Sequence, residues 1–153
     1  MHKYVQYLCM AEYGWDMEVY VRGPLGRGSL DLYDYESNSY YEVKTKNTVN
    51  RAKPLVDAQM AKYDSSQIKA KRYKEANITN SPTRGTEFIS GTFCYGIYDV
   101  NYSTKENGLI IYDPVVNKSR SLQTAVVLVM VVCVALGRYE TAAAIGAYAA
   151  GTA

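Results

Sequence analysis

The chain has 153 residues, enough for one domain with a single substantial core. Its formal net charge of +2 and pI near 8.3 permit nucleic-acid binding, although a dedicated polycation is normally more basic. The three cysteines, Cys9, Cys94 and Cys133, are odd in number and far apart. They exclude a disulfide frame and a C-x-x-C zinc site, and read as buried free thiols in a reducing compartment.

Residues 3–13 predict a short helix, with Val5, Leu8, Cys9 and Glu12 at roughly helical spacing and Gly14 where a C-terminal cap belongs. The start of the chain lacks a signal peptide's apolar core. The single histidine, His2, reads as frayed terminus. On that reading a Ser-His-Asp hydrolase, a histidine-ligated zinc enzyme and a histidine-paired ribonuclease are excluded. Carboxylates, a metal and a lysine remain as a route to phosphodiester hydrolysis. Sixteen tyrosines stand against two phenylalanines, a ratio that suits half-wet strands and surfaces that meet bases or a partner.

Met17 to Val21 alternates and predicts a first strand, followed by a turn-rich loop over 22–28. A hairpin is predicted next, with strands near 29–35 and 39–45 and a turn at Glu36-Ser37-Asn38. Side chains alternate along a strand, so Glu42 and Lys44 share a face and Asp31 falls opposite or near Glu42. Two carboxylates suit a hard cation, which can hold a phosphate and an activated water. Lys44 can orient that water or offset charge on the phosphate. Lys46 shares the face of Lys44, and Asp34 lies on the opposite face from Asp31.

A polar loop is predicted over 46–53. Pro54 then suits the first turn of a helix over 54–75, with a break near Asp64-Ser65-Ser66. Residues 77–87 read as a second polar loop. Residues 92–100 and 108–112 read as strands, with a hairpin turn at Lys105 to Gly108.

The residues Asp31, Glu42-x-Lys44 and the following helix resemble the core motif of the PD-(D/E)xK, restriction-endonuclease-like nuclease superfamily. Leu30 stands where the literal Pro of the motif would be. The resemblance implies an α/β fold with an α-β-β-β-α-β core, a mixed central sheet flanked by helices. It implies Mg²⁺ or Mn²⁺ held by Asp31, Glu42 and the Val43 carbonyl, with Lys44 as the catalytic lysine. It also suggests Glu12 on the first helix as a further acid, and Gln59 with Tyr63 as an i,i+4 pair near the scissile phosphate. Arg22, Arg27, Lys46, Arg51, Lys53, Lys62 and Tyr63 are candidate nucleic-acid contacts. Gly26-Arg27-Gly28-Ser29-Leu30-Asp31-Leu32 and the Gln-x3-Tyr helix look most like the nuclease toxin domains of bacterial polymorphic toxin systems. That implies a DNA substrate, a cognate immunity protein as partner, and action in the cytoplasm, of a target cell after secretion. RNA or tRNA is the alternative substrate.

The core expected from this reading covers 1–121, with an apolar extension over 122–153 packed on it. Ala125 to Leu136 is twelve apolar residues without interruption, short of the ~20 that a stable transmembrane helix needs. The run suits a helical hairpin packed on the sheet, a buried strand, or an element that meets a membrane or partner. The last reading carries a rival function, a non-catalytic binding module.

Overall fold

The computed structural model describes residues 1–69 and 81–151. The parts of the predicted 54–75 helix and 77–87 loop that fall within 70–80 lie outside the described residues. Among the described residues the protein is mixed α/β, with a mixed sheet and four helices. The elements are α1 (His2–Tyr13), β1 (Asp16–Gly23), β2 (Gly26–Asp34), β3 (Ser39–Thr45), α2 (Lys46–Asp64), β4 (Gln67–Ile68), β5 (Thr83–Arg84), β6 (Ser90–Tyr95), β7 (Tyr98–Glu106), β8 (Leu109–Val116), α3 (Lys118–Ala135) and α4 (Tyr139–Gly151). The strand order is β4-β1-β2-β3-β8-β7-β6, and β5 pairs with β3.

Residues 1–92 and 101–113 form one compact unit, and 93–100 with 114–153 form a second. The second unit thus takes in the β6–β7 turn and the end of β8 together with the C-terminal helices.

In the first unit, α1 ends as expected: Gly14 takes φ 73° and returns its N–H to Met10 O at 3.0 Å. The predicted 22–28 loop is instead strand almost throughout. Arg22 pairs with Arg27 and Gly23 with Gly26, leaving only Pro24-Leu25 to turn. β2 and β3 run antiparallel with Leu32 opposite Tyr41, Tyr33 opposite Tyr40 and Asp34 opposite Ser39. The predicted 46–53 loop is the first segment of α2. Thr45 caps it, its side chain accepting from Thr48 N at 2.9 Å, and a kink at Ala52 lets Pro54 begin the second segment. The predicted strand at 92–100 is two strands, because Gly96 turns the chain at φ 58°.

β3 is central and buried from Ser39 to Val43. Both α1 and α2 contact it, so it has no polar face to alternate with. Tyr33, Tyr40 and Tyr63 pack with Val19, Val21, Leu30 and Ile68. Val49, Val56, Met60 and Leu109 form the other cluster beneath α2, joined by Ile111. Many tyrosines thus serve the core, with hydroxyls satisfied locally: Tyr40 reaches Met60 O at 3.0 Å and Asp64 at 2.7 Å. Tyr41 stacks on Trp15 at 4.4 Å, which stacks on Tyr13 at 4.8 Å. Of the cysteines only Cys9 is buried, and Cys94 is exposed.

In the second unit, the apolar run forms α3, which packs against α4 as a helical hairpin. Asn117 caps α3 through a bond from Arg120 N at 3.1 Å. The helix starts seven residues before Ala125 and reaches 18 residues, the one described helix long and apolar enough to cross a membrane. A buried strand is excluded. α3 has no buried residue.

Gly85 lies against the Tyr41 ring, where an added Cβ would come within 2.0 Å of Cζ. The stack on Trp15 and Tyr13 leaves that ring no retreat. Gly85→Ala is expected to destabilise the fold by about 1–3 kcal/mol, read as a lower denaturation midpoint with an unchanged denaturant slope.

Candidate active site

The site begins where β2 and β3 part. Their register would set Asp31 opposite Glu42, but the ladder ends at Leu32–Tyr41. Side chains replace its missing rungs. Asp31 N donates to Glu42 Oε1 at 3.3 Å, and Val43 N donates to Asp31 Oδ2 at 2.8 Å. Glu42 N turns to the other neighbour and donates to Gly108 O at 2.7 Å. From there β3 runs parallel to β8, Glu42 opposite Leu109 and Lys44 opposite Ile111. The splay thus opens room for two acidic side chains inside a sheet.

Lys44 Nζ lies 2.7 Å from Glu42 Oε2 and 3.3 Å from Asp31 Oδ2. From α2, Gln59 Nε2 donates to Glu42 Oε2 and to the Tyr63 hydroxyl, both at 2.9 Å. The Gln59–Tyr63 spacing places both on one helix face. Asp31, Glu42, Lys44 and Gln59 are therefore one bonded group.

Burial sets the protonation of this group. Glu42 is fully buried. Desolvation first, then the charge of Asp31, pushes its carboxyl up to about 8, against the opposing pull of Lys44. Asp31 also feels burial upward, but the His2 bond, the Lys44 charge and the Val43 N–H together hold it below the ordinary carboxylate range. Lys44 loses solvation, yet its two carboxylates hold its ammonium above the ordinary lysine value. The two acids are thus driven apart, which is a common property of functional carboxylate pairs.

Three further residues join from the side of α1. His2 is in the first turn of the helix, not frayed, and its Nε2 lies 3.2 Å from Asp31 Oδ1. Gln6, one turn on and fully buried, donates through Nε2 to Asp31 Oδ1 at 3.2 Å and to Asp31 O at 3.1 Å. The same Nε2 lies 3.2 Å from Glu18 Oε1. Gln6 Oε1 is buried without a hydrogen-bond partner among the described residues. Glu18 takes φ 53° on β1, and the β1–β2 ladder skips its rung across from Asp31. The i,i+4 spacing of His2 and Gln6 is the one signal the sequence offers for this side of the site.

The structure does not bring Glu12 to the cluster. It is exposed, near the far end of α1 from His2. Ten residues of helix separate the two, roughly 15 Å at 1.5 Å per residue. Val43 lies within the site through its N–H, opposite Ile110 in the β8 ladder. Tyr63 is buried against Tyr40 and is not available to a base. Lys62 donates to Arg27 O at 2.8 Å, while the Arg27 and Arg51 side chains are exposed. Lys46 pairs with Asp113 at 2.6 Å. Lys53 pairs with Asp57 and, at 2.7 Å, with Glu106. Arg22 is exposed on β1.

No family model matches the chain, and no curated protein or solved structure resembles it at a significant level. Among the described residues no group of three or more His, Cys, Asp or Glu side chains stands ready to hold a metal ion. The pair of carboxylates is the oxygen donor set present, with Lys44 holding positive charge between them.

The folded-state pKa of Glu42 lies above its unfolded value, so the folded protein takes up a proton between 4.5 and about 8. That contribution to stability is lost as pH rises through about 8. Asp31 shifts the other way, so its window lies below its ordinary value and does not overlap. In EDTA, Glu42→Gln is expected to raise the melting temperature relative to wild type at pH 9, with the gain shrinking towards pH 5. Equal effects at both pH values would contradict the burial account.

Proposed function

We propose that the chain is a metal-dependent endonuclease of the PD-(D/E)xK kind that hydrolyses phosphodiester bonds in DNA. One observation carries the reading: two acids on neighbouring strands share a lysine two residues beyond the second, and a helix glutamine completes the group. The element order α1-β1-β2-β3-α2 followed by strands, with β1 to β3 antiparallel and β8 parallel to β3, supports a restriction-endonuclease-like core.

Paired carboxylates and a backbone carbonyl are hard oxygen donors, the set that suits Mg²⁺ or Mn²⁺. Asp31, Glu42 and the Val43 carbonyl would hold the ion, which supplies Lewis-acid activation of water and phosphate when bound. The chain's own residues then act around it. Lys44, with its contacts to Asp31 and Glu42, orients the attacking water and offsets charge on the phosphate. Gln59 fixes the Glu42 carboxyl by its bond to Oε2, and His2 and Gln6 fix Asp31 from the other side. The exposed Arg27 and Arg51 are free to meet backbone phosphates.

The lead-in to Asp31 and the Gln-x3-Tyr helix support a bacterial toxin domain. Its partner would be an immunity protein, and its site of action the cytoplasm of a target cell. The cleavage assay compares supercoiled plasmid and total tRNA, in Mg²⁺ and in EDTA. Wild type is expected to nick plasmid only with metal, and Lys44→Ala and Asp31→Asn to lose about 10²-fold or more of that activity while staying folded. Cleavage of tRNA alone would keep the site and change the substrate. Full activity in either variant would overturn the assignment.

A further inference from the structure

Asp31 presents its two carboxylate oxygens to opposite neighbours. Oδ2 takes Val43 N and Lys44 Nζ, while Oδ1 turns towards α1 and meets Gln6 and His2. On the α1 side Glu18 brings a further carboxylate. Its Oε1 lies 3.2 Å from Gln6 Nε2, the nitrogen that also lies 3.2 Å from Asp31 Oδ1. The Asp31 main-chain oxygen is 3.1 Å from the same nitrogen. Three oxygens from two strands thus converge on one point, filled by an amide nitrogen with two hydrogens to offer. Lys3 stands off, its Nζ 4.0 Å from Glu18 Oε1 on a largely exposed side chain.

Gln6 supplies the observation that points beyond hydrogen bonding. Its side chain is fully buried, yet Oε1 has no hydrogen-bond partner among the described residues. Buried side-chain polar atoms are normally partnered. Half a turn about the last torsion of Gln6 exchanges the two amide atoms and sets Oε1 where Nε2 stands. Oε1 then faces Glu18 Oε1 and Asp31 Oδ1 at the 3.2 Å now held by the nitrogen. Three oxygens that close repel one another unless a positive charge lies between them. An octahedral cation with oxygen ligands at about 2.0–2.6 Å sets neighbouring ligands about 3–3.7 Å apart. The spacing is that of adjacent ligands on one hard cation.

Access and backbone agree with that spacing. The Glu18 side chain is 43 % accessible, so an ion can arrive from solvent, while buried Gln6 closes the inner end. Glu18 takes φ 53°, and the β1–β2 ladder loses its rung there. Regular strand geometry is given up at the residue that carries the acid. We propose that Gln6 Oε1, Glu18 and Asp31 Oδ1 form a site for a hard divalent cation on the α1 side of Asp31. The ion pins the first turns of α1 to β1 and β2. The inference does not depend on the nuclease reading, because Glu42 and Lys44 take no part in it.

The test counts Mn²⁺ bound per folded full-length chain by electron paramagnetic resonance. Glu18→Gln keeps the size of the side chain and removes its charge. It is expected to lose one bound Mn²⁺, or to weaken that ion about tenfold or more, with unchanged circular dichroism. Glu42→Gln, on the other side of Asp31, is expected to keep the ion. Gln6→Glu adds a carboxylate at the point of convergence and is expected to bind Mn²⁺ about tenfold more tightly. Mn²⁺ should then raise the melting temperature of Gln6→Glu more than that of wild type. Unchanged Mn²⁺ binding in Glu18→Gln, weaker binding in Gln6→Glu, or a folded wild type that binds no Mn²⁺ would overturn the proposal. So would an ion lost in Glu42→Gln alone. Plasmid cleavage is scored separately: an ion lost with Glu18 in a chain that cuts no nucleic acid would support this site and sink the nuclease reading alone.

Discussion

Two reciprocal hydrogen bonds hold the first unit's centre: Asp31 N to Glu42 Oε1, and Val43 N to Asp31 Oδ2. They stand where backbone rungs would normally join β2 to β3. Hydrogen bonds to charged groups contribute about 1.5–3 kcal/mol each, while burying a carboxylate costs several. The exchange is therefore close to balance, and the surrounding core sustains it. Because β2 and β3 part here, Glu42 N is free to reach Gly108 O. That contact hands β3 over to β8, and the parallel pairing places Lys44 beside Ile111. The helices follow: α2 brings Gln59 to Glu42, and α1 brings His2 and Gln6 to Asp31.

The electrostatics follow from this geometry. Every oxygen of the two carboxylates has a donor: His2 and Gln6 at Asp31 Oδ1, Val43 and Lys44 at Oδ2, Asp31 N at Glu42 Oε1, and Lys44 with Gln59 at Oε2. On the proposed reading, a cation held by the two acids would share them with Lys44, and an ammonium moved off one carboxylate would be available to a water or phosphate oxygen. The raised Glu42 carboxyl would make that exchange depend on pH, since it would have to lose its proton to serve as a ligand.

The hairpin carrying Asp31, Glu42 and Lys44 was legible because alternation and a short polar turn are local signals. The register across Glu36 to Asn38 follows from them. The helix at 46–53 was not legible, since its polar side chains resemble a loop and its start depends on one cap, Thr45. The resemblance suggested Glu12 for the cluster, yet α1 holds it at the far end and brings His2 and Gln6 instead. Their role rests on a contact about 25 to 29 residues away in sequence, which no local pattern encodes. Tyrosine abundance suggested wet surfaces, but a central strand covered on both sides draws Tyr40 and Tyr41 inward. In the C-terminal run a helical hairpin was the leading reading, and the β-branched residues kept a buried strand open beside it. The Asn117 cap and the packing on α4 decide for helix.

The most direct measurement is anomalous diffraction from crystals grown at pH 8.5 and soaked in Mn²⁺. One strong manganese peak is expected within bonding distance of both Asp31 and Glu42, with Lys44 Nζ moved off at least one carboxylate. Crystals with Lys44 still bridging both acids and no manganese between them would contradict it.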